Sequence, residues 1–348
     1  MLLPAGLAKM HRGNPAASIR ADRIYATPVL LSGLASLILL KSEIEIIAKP
    51  YKQQMERLLK LHDRTPPCVV WFLAGCLPFE AALHLRQMSL FGMICRLNDG
   101  DNPLAHHARH IFATAKVSSR SWFQMIQTVF LQYNLPHPIT FLDAPASKIS
   151  FKHTTKAAVL DYWNRKLRSE SRELSSLNYF HPNYMSLTRT HPLYLTCKSS
   201  PHEVSKAIIQ ARYLSGRARL ENVTKYWEPT NREGYCLLCK HSVLVPKLQS
   251  LAHLLLPGGC ESLCEARLFM FSFINSYLVP RPYLLPLLKE CLGDDEHFVQ
   301  FMLDCSTMPL VISFIQERGE CCLDDLFYIS RTYIFKLHSV RKRMLLDL

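Results

Sequence analysis

Apolar side chains recur at intervals of three and four residues along most of the chain. That spacing places them on one face of an α-helix. The segment 77–97 shows the pattern, and Pro78 suits its first turn. Sustained alternation of apolar and polar residues, which would predict strands, is missing, and glycine accounts for only 12 of 348 residues. The pattern therefore predicts a mainly α-helical fold.

One uncharged run, from Ile24 to Leu40, has some of the composition of a membrane anchor. It is interrupted by Pro28 and Gly33 and is shorter than the roughly 20 strongly apolar residues that a bilayer requires. We therefore predict a buried helix here, and no membrane partner.

Prolines divide the helical pattern into blocks, because they disfavour continuation of a helix. They predict a linker near 134–150 and an irregular segment near 179–201. The predicted organisation is a thumb-like helical bundle at 1–133, a proline-rich linker with a basic helix at 134–200, a basic helix with a zinc-knuckle-like segment at 201–265, and a C-terminal helical region with a basic tail at 266–348.

Lysine and arginine exceed aspartate and glutamate by 41 to 28, which gives a net charge of +13. A field of this sign favours polyphosphate or an anionic membrane surface as a partner. The chain also contains 12 cysteines without the dense spacing of a small secreted scaffold. Such usage favours reduced thiols, and so a nuclear or cytoplasmic protein.

The basic charge is concentrated in the middle of the chain, and one candidate nucleic-acid-binding segment lies there. Cations one or two helical turns apart can meet successive phosphates, and aromatic rings can stack on bases. The alternative is a solvated helix face over an apolar core. The candidate phosphate contacts are Lys206, Arg212, Arg217 and Arg219, and the candidate stacking residues are Tyr226 and Trp227.

The sharpest local motif has the spacing C-x2-C-x13-H-x6-C and consists of Cys236, Cys239, His253 and Cys260. Two cysteines separated by two residues can hold one Zn²⁺ from a tight turn, and a histidine with a third cysteine completes a tetrahedral set. Cys264 is an alternative to Cys260, and His241 is a weaker alternative to His253. The competing interpretation is a group of ordinary buried thiols. A closed Cys3His site would be structural, without an open position for catalytic water.

The sequence contains no phosphate-binding loop, dinucleotide fingerprint, zinc-protease motif or nucleophile elbow. Two aspartate pairs, Asp294-Asp295 and Asp324-Asp325, lack the strand context of a polymerase metal site, and we predict helix starts or surface acids. We therefore expect that the chain by itself is not an enzyme.

Several segments resemble, in order, the C-terminal part of the reverse transcriptase of non-LTR (LINE-like) retrotransposons. GNPAASIRADRIYATPVLLSGLASL is similar to the segment after the polymerase palm, and LHDRTPPCVVWFLAGCLPFEAALHLRQMSL is similar to the helical thumb. The later segments are SWFQMIQTVFLQYNLPHP, ARYLSGRARLENVTKYW and GYCLLCK…LAHLLLPGGC…AR. The last marks Cys236, Cys239, His253 and Cys260 as zinc positions, although the two longer spacings exceed those of the family.

The resemblance implies a thumb and a zinc-bearing region without the catalytic palm, whose aspartate pair would lie before residue 1. Such a fragment is expected to bind template RNA or target DNA, and a palm supplied in trans is a further expected partner. The alternatives are a helical protein-interaction module and a retroelement remnant without function.

Overall fold

The computed structural model describes residues 13–97, 102–114, 120–197, 200–218, 236–239, 250–319 and 321–347. Within these ranges the regular secondary structure is helical, and no strand is present. The predicted mainly α fold is therefore confirmed.

The N-terminal half contains nine α-helices together with short π and 3₁₀ turns among its described residues. The α-helices are α1 (Pro15–Ala21), α2 (Thr27–Leu31), α3 (Lys41–Leu59), α4 (Pro67–Ala74), α5 (Phe79–Arg96), α6 (Pro103–Thr114), α7 (Trp122–Gln132), α8 (Pro138–Asp143) and α9 (Lys148–Arg172).

The C-terminal half follows two 3₁₀ turns, Ser175–Leu177 and Pro182–Tyr184. Its described α-helices are α10 (Pro192–Leu195), α11 (Pro201–Leu214), α12 (Leu251–Leu255), α13 (Cys264–Leu278), α14 (Leu285–Leu292), α15 (Asp295–Asp304), α16 (Pro309–Arg318) and α17 (Cys321–Leu346).

Prolines begin many of these helices. Pro138, Pro192 and Pro201 occupy the first positions of α8, α10 and α11, where the missing N–H has no intrahelical partner to lose. The predicted linker near 134–150 therefore contains a short helix. The basic helix that we placed after this linker is α9, and it packs along α4 and α5. The domain boundaries proposed from the sequence remain predictions.

Each half has its own central helix. In the N-terminal half, α4 is buried along nearly its whole length and packs against α3 and α9, and its Trp71 ring stacks on Tyr51 of α3 with centroids 5.7 Å apart. In the C-terminal half, the 26-residue α17 contacts α11, α13, α15 and α16. The buried apolar residues of both halves form one hydrophobic core, to which both of these helices contribute.

The segment at the start of α10 joins the halves through hydrogen bonds to backbone carbonyls at the ends of α3 and α4. His191 N donates to Leu73 O at 3.0 Å, and Thr190 Oγ1 donates to Ala74 O at 3.1 Å. The Tyr194 hydroxyl donates to Leu59 O at 3.1 Å and is fully buried. Because these groups have no access to water, their pairing fixes this junction.

The prediction of a buried helix over the run Ile24–Leu40 is wrong. Helical turns continue from α1 through a π-helical turn at Asp22–Ala26 to the end of α2 at Leu31, and after Gly33 the chain forms a separate 3₁₀ turn at Leu34–Ser36. Several of its apolar side chains are exposed rather than buried. In the described residues no single helix has the length and hydropathy to cross a membrane. Two pairs of consecutive helices have the necessary length and composition when the two members are combined, but each pair is bent.

Gly75 ends α4 with φ +61°, and a Cβ placed there would overlap the carbonyl group of Arg189. We expect Gly75→Ala to lower the free energy of unfolding by about 2–5 kcal/mol, through left-handed strain plus displacement of the neighbouring backbone. Gly33→Ala is the matched control, since Gly33 also has a positive φ but has no atom within 4 Å of an added Cβ. Urea unfolding of both variants measures the difference, and equal losses would contradict the role of the Arg189 contact.

Candidate metal centre

Four buried side chains converge on one point in the C-terminal half: Cys236, Cys239, His253 and Cys260. Their ligand atoms all lie within 4.8 Å of one another. Cys239 Sγ lies 3.3 Å from Cys260 Sγ and 3.5 Å from His253 Nε2, and Cys236 Sγ lies 3.8 Å from Cys260 Sγ. This buried cluster could hold a metal ion.

The first two ligands come from a tight turn. Cys239 N donates to Cys236 O at 3.2 Å, which closes the four-residue turn that the C-x2-C spacing suggests. Both side chains are about 1 % exposed. The turn therefore directs two buried sulfur atoms toward the same point.

The other two ligands come from α12 and the loop that follows it. Ser250 caps α12, because its Oγ accepts from His253 N at 3.1 Å. Cys260 N then donates to His253 O at 2.7 Å, and Gly259 sits so close to that carbonyl that a Cβ would overlap it. The loop therefore returns Cys260 to His253, which explains how a six-residue gap brings both ligands together.

Arg267 of α13 forms hydrogen bonds with backbone carbonyls of α12 and of the loop that follows it. Its guanidinium donates to Cys260 O and, at 3.0 Å, to Leu254 O, and the side chain is 2 % exposed. The Tyr333 hydroxyl of α17 donates to Leu255 O at 2.7 Å. Carbonyls of α12 and of the loop after it are thus hydrogen-bonded to side chains of α13 and α17. Sequence reasoning did not assign Arg267, although it belongs to the Ala266-Arg267 pair in the quoted pattern.

The pKa values of the three thiols are shifted in different directions. A hydrogen bond from Cys260, which outweighs burial, lowers the pKa of Cys236 to about 3. The hydrogen bond to Cys236, together with burial, raises the pKa of Cys260, and burial raises the pKa of Cys239. Three thiolates in this pocket need a cation, because metal ligands must be deprotonated and buried like charges repel.

Cys264 is exposed and lies outside the cluster, so the geometry selects Cys260 as the fourth potential ligand. His241 lies outside the described residues. The start of α12, the helix that carries His253, lies near the end of α11, since Tyr213 of α11 and Leu251 of α12 line one cavity of about 290 Å³.

Lys206 requires a correction. It is 5 % exposed, and its Nζ lies 2.8 Å from Glu203 Oε1 and 3.1 Å from Thr332 Oγ1. Arg331, which lies in the C-terminal region that we predicted to carry a basic tail, is also buried, and its Nε lies 3.0 Å from Glu203 Oε2. Both cations stabilise the packing of α11 against α17 and are unavailable to a phosphate.

The other predicted nucleic-acid contacts differ from one another. Arg212 is exposed, and its Nε donates to Lys60 O at 3.1 Å. Arg217 is half-buried, and burial lowers its pKa. Arg219, Tyr226 and Trp227 lie outside the described residues. Among the described members of this set, Arg212 is therefore the one that is exposed.

The aspartate pairs occupy helix starts, as predicted. Asp294 caps α15 by accepting from Glu296 N and His297 N, and Asp324 lies in the first turn of α17. Asp325 accepts from the hydroxyls of Tyr277 and Tyr283 at 2.6 and 2.9 Å. Hydrogen bonds within the fold therefore engage Asp294 and Asp325, and Asp295 and Asp324 lie in the first turns of their helices.

Comparisons of this chain with protein-family models, with curated proteins and with solved structures found no match.

Proposed function

We propose that Cys236, Cys239, His253 and Cys260 bind one structural Zn²⁺. Zinc–sulfur bonds of about 2.3 Å in a tetrahedron place the sulfur atoms about 3.8 Å apart. The sulfur–sulfur separations of 3.3 and 3.8 Å lie near that value. Zinc favours thiolate and imidazole ligands, and the protein supplies all four.

Such a centre would have a structural role. A bound zinc would compensate the charge of the thiolates and cross-link the Cys236–Cys239 turn to α12 and the loop after it. Since four protein ligands complete the tetrahedron, no position remains for a reacting water. Arg267, held on two carbonyls of this loop, orients the ligand backbone.

We further propose that the chain is a non-catalytic nucleic-acid-binding protein, in which this centre stabilises the C-terminal half. The observation that carries the proposal is the closed, buried cluster in a chain with a net charge of +13. The positive field favours a polyphosphate partner. The sequence resemblance to non-LTR reverse transcriptases agrees with this proposal, and under it the chain is the thumb and zinc-bearing fragment that binds RNA or DNA.

Affinity for a short single-stranded RNA and for duplex DNA tests the proposal. We expect binding that weakens linearly in log affinity against log salt, with a slope of about −0.7 per phosphate contact on the single strand and about −0.9 on the duplex. Fluorescence anisotropy across about 50–200 mM salt measures it. Absence of binding at the lowest salt, or affinity that does not change with salt, would contradict the proposal.

A helical protein-interaction module is the second candidate, favoured by exposed apolar side chains near the N-terminus. Tyr25, Val29 and Ile46 are 68 %, 65 % and 71 % exposed, and Ile24 and Leu40 are each 54 % exposed. Apolar side chains concentrated in one region often mark a protein interface. A partner captured through this region, with no salt-dependent nucleic-acid binding, would favour the second candidate over the first.

A further inference from the structure

A groove of about 590 Å³ lies in the N-terminal half between α5 and the chain around α2. Its lining includes three cations, Arg86, Arg96 and Lys148, and no carboxylate. Ser32 and Ser89 add two hydroxyl groups. The groove therefore offers positive charge and hydrogen-bond donors, the two features that phosphate oxygens require.

The segments that form the groove are free of acidic residues over long stretches. Residues 23–42, 81–97 and 144–160 contain no aspartate or glutamate. Asp99 and Asp101 follow the second stretch in sequence and lie outside the described residues. Three separate parts of the chain thus bring basic or neutral side chains to one place. These segments contain no carboxylate that could compensate the positive charge of the groove.

A row of lysines extends the groove along α9. Lys148, Lys152 and Lys156 are all exposed and are spaced four residues apart, so successive lysines are separated by about 6 Å along the helix axis. The guanidinium of Arg96 lies 5.9 Å from the ring of Phe151, which places the α5 cation against the first turn of α9. The groove and the row are therefore continuous.

The two halves of α9 use their cations differently. In the second half, Arg165 pairs with Asp161 at 2.8 Å, Arg168 donates to the carbonyls of Pro182 and Asn183, and Lys166 lies over the ring of Trp163. In the part of the chain that the structure describes, no ion pair is formed by Lys148, Lys152 or Lys156. The second-half cations stabilise the fold, whereas the first-half lysines face solvent.

We infer that the groove and the lysine row of α9 form a track for the phosphodiester backbone of a single-stranded nucleic acid. This inference rests on the proposed nucleic-acid binding and moves its main contact from α11 to α5 and α9. The spacing of the lysines presents one charge after another along a line, as the successive phosphates of a strand require. Because the contacts are to the backbone, binding at this track is independent of base sequence.

The test compares two variants that lose the same charge. The track variant is Lys148→Gln/Lys152→Gln/Lys156→Gln, and the control variant is Lys289→Gln/Arg318→Gln/Lys342→Gln, whose residues are exposed in the C-terminal half. Binding to a single-stranded oligouridine RNA is measured by anisotropy between about 50 and 200 mM salt. Circular dichroism and thermal unfolding confirm that both variants fold, which is expected because all six side chains are exposed.

We expect the track variant to lose about two units of the salt slope, since three contacts contribute about 0.7 each. Raising the salt from about 50 to about 200 mM should then weaken the unmodified protein about 20-fold more than the track variant. The control variant should retain the slope of the unmodified protein. Arg86→Gln, at an exposed position on the groove, should reduce the slope by a further fraction of a unit.

Three results would overturn the track. If both triple variants bind equally to RNA, the interaction is a general effect of net charge and the proposed function survives without the track. If the track variant loses binding to phosphatidylserine vesicles but not to RNA, the surface recognises an anionic membrane. If the unmodified protein does not bind RNA at all, both the track and the proposed function fail.

Discussion

Cys239→Ser is expected to abolish stoichiometric zinc binding and to lower the free energy of unfolding by more than about 4 kcal/mol. Its sulfur lies within 3.5 Å of both His253 Nε2 and Cys260 Sγ, so it contacts two of the other three ligands. A hydroxyl group at this position is a much weaker zinc ligand than a thiolate. Without the ion, the remaining thiols lose the cation that would allow them to ionise together in a buried pocket.

Cys264→Ser is the matched control for this variant. Cys264 follows Cys260 by four residues, is exposed, and lies outside the cluster. Elemental analysis of the purified proteins should give one zinc per chain for the unmodified protein and for Cys264→Ser, and none for Cys239→Ser. Urea unfolding measures the accompanying loss of stability. Full zinc occupancy in Cys239→Ser, or zinc loss in Cys264→Ser, would refute the assigned ligand set.

Asp304→Ala should destabilise the protein by about 3–5 kcal/mol, because it removes a buried carboxylate together with the hydrogen bonds that it accepts, each worth roughly 1.5–3 kcal/mol for a charged acceptor. Asp304 Oδ2 lies 3.2 Å from His191 Nε2, and the two side chains are 0 % and 2 % exposed. The other carboxylate oxygen accepts from Ser306 N and from Ser306 Oγ at 3.2 and 2.7 Å. His191 belongs to the segment that is hydrogen-bonded to the end of α4, so this pair joins the two halves.

The pH dependence of stability follows from the same carboxylate. Burial raises the pKa of Asp304, but the interactions with His191 and Ser306 outweigh burial and hold the pKa below its ordinary value. A carboxylate with a lowered folded-state pKa contributes its full stability above the unfolded pKa of about 4. That contribution disappears as the pH falls below about 4 toward the folded-state pKa.

Asp294→Ala is the control, because it also removes a carboxylate that accepts from two backbone N–H groups but does so at an exposed helix start. Urea unfolding at neutral and acidic pH should show a smaller loss for Asp294→Ala at neutral pH than for Asp304→Ala. The stability of Asp304→Ala should also fall less steeply than that of the unmodified protein under acid. Equal losses in the two variants would rule out the buried pair as a stabilising link between the halves.

Local patterns in the sequence determined much of this protein. Apolar residues at three- and four-residue spacing predicted helices, and the described residues form helices without strands. The aspartate at 294 predicted a helix start, which the cap of α15 confirms. The C-x2-C spacing suggested a tight turn, and the backbone hydrogen bond between Cys239 and Cys236 closes one. Each of these features depends on residues within about one or two helical turns of one another, so the sequence alone contains the necessary information.

Tertiary structure decided which faces are covered. The sequence of α11 predicted Lys206 to be a surface cation, but its partners Thr332 and Tyr328 lie far along the chain on α17. The composition of the run Ile24–Leu40 predicted a buried helix, but Ile24, Val29 and Leu40 remain exposed. The choice between Cys260 and Cys264 depended on a loop that turns back to the carbonyl of His253. Burial and ligand convergence are set by contacts between distant segments, and periodicity along one helix describes only the face that is available for such contacts.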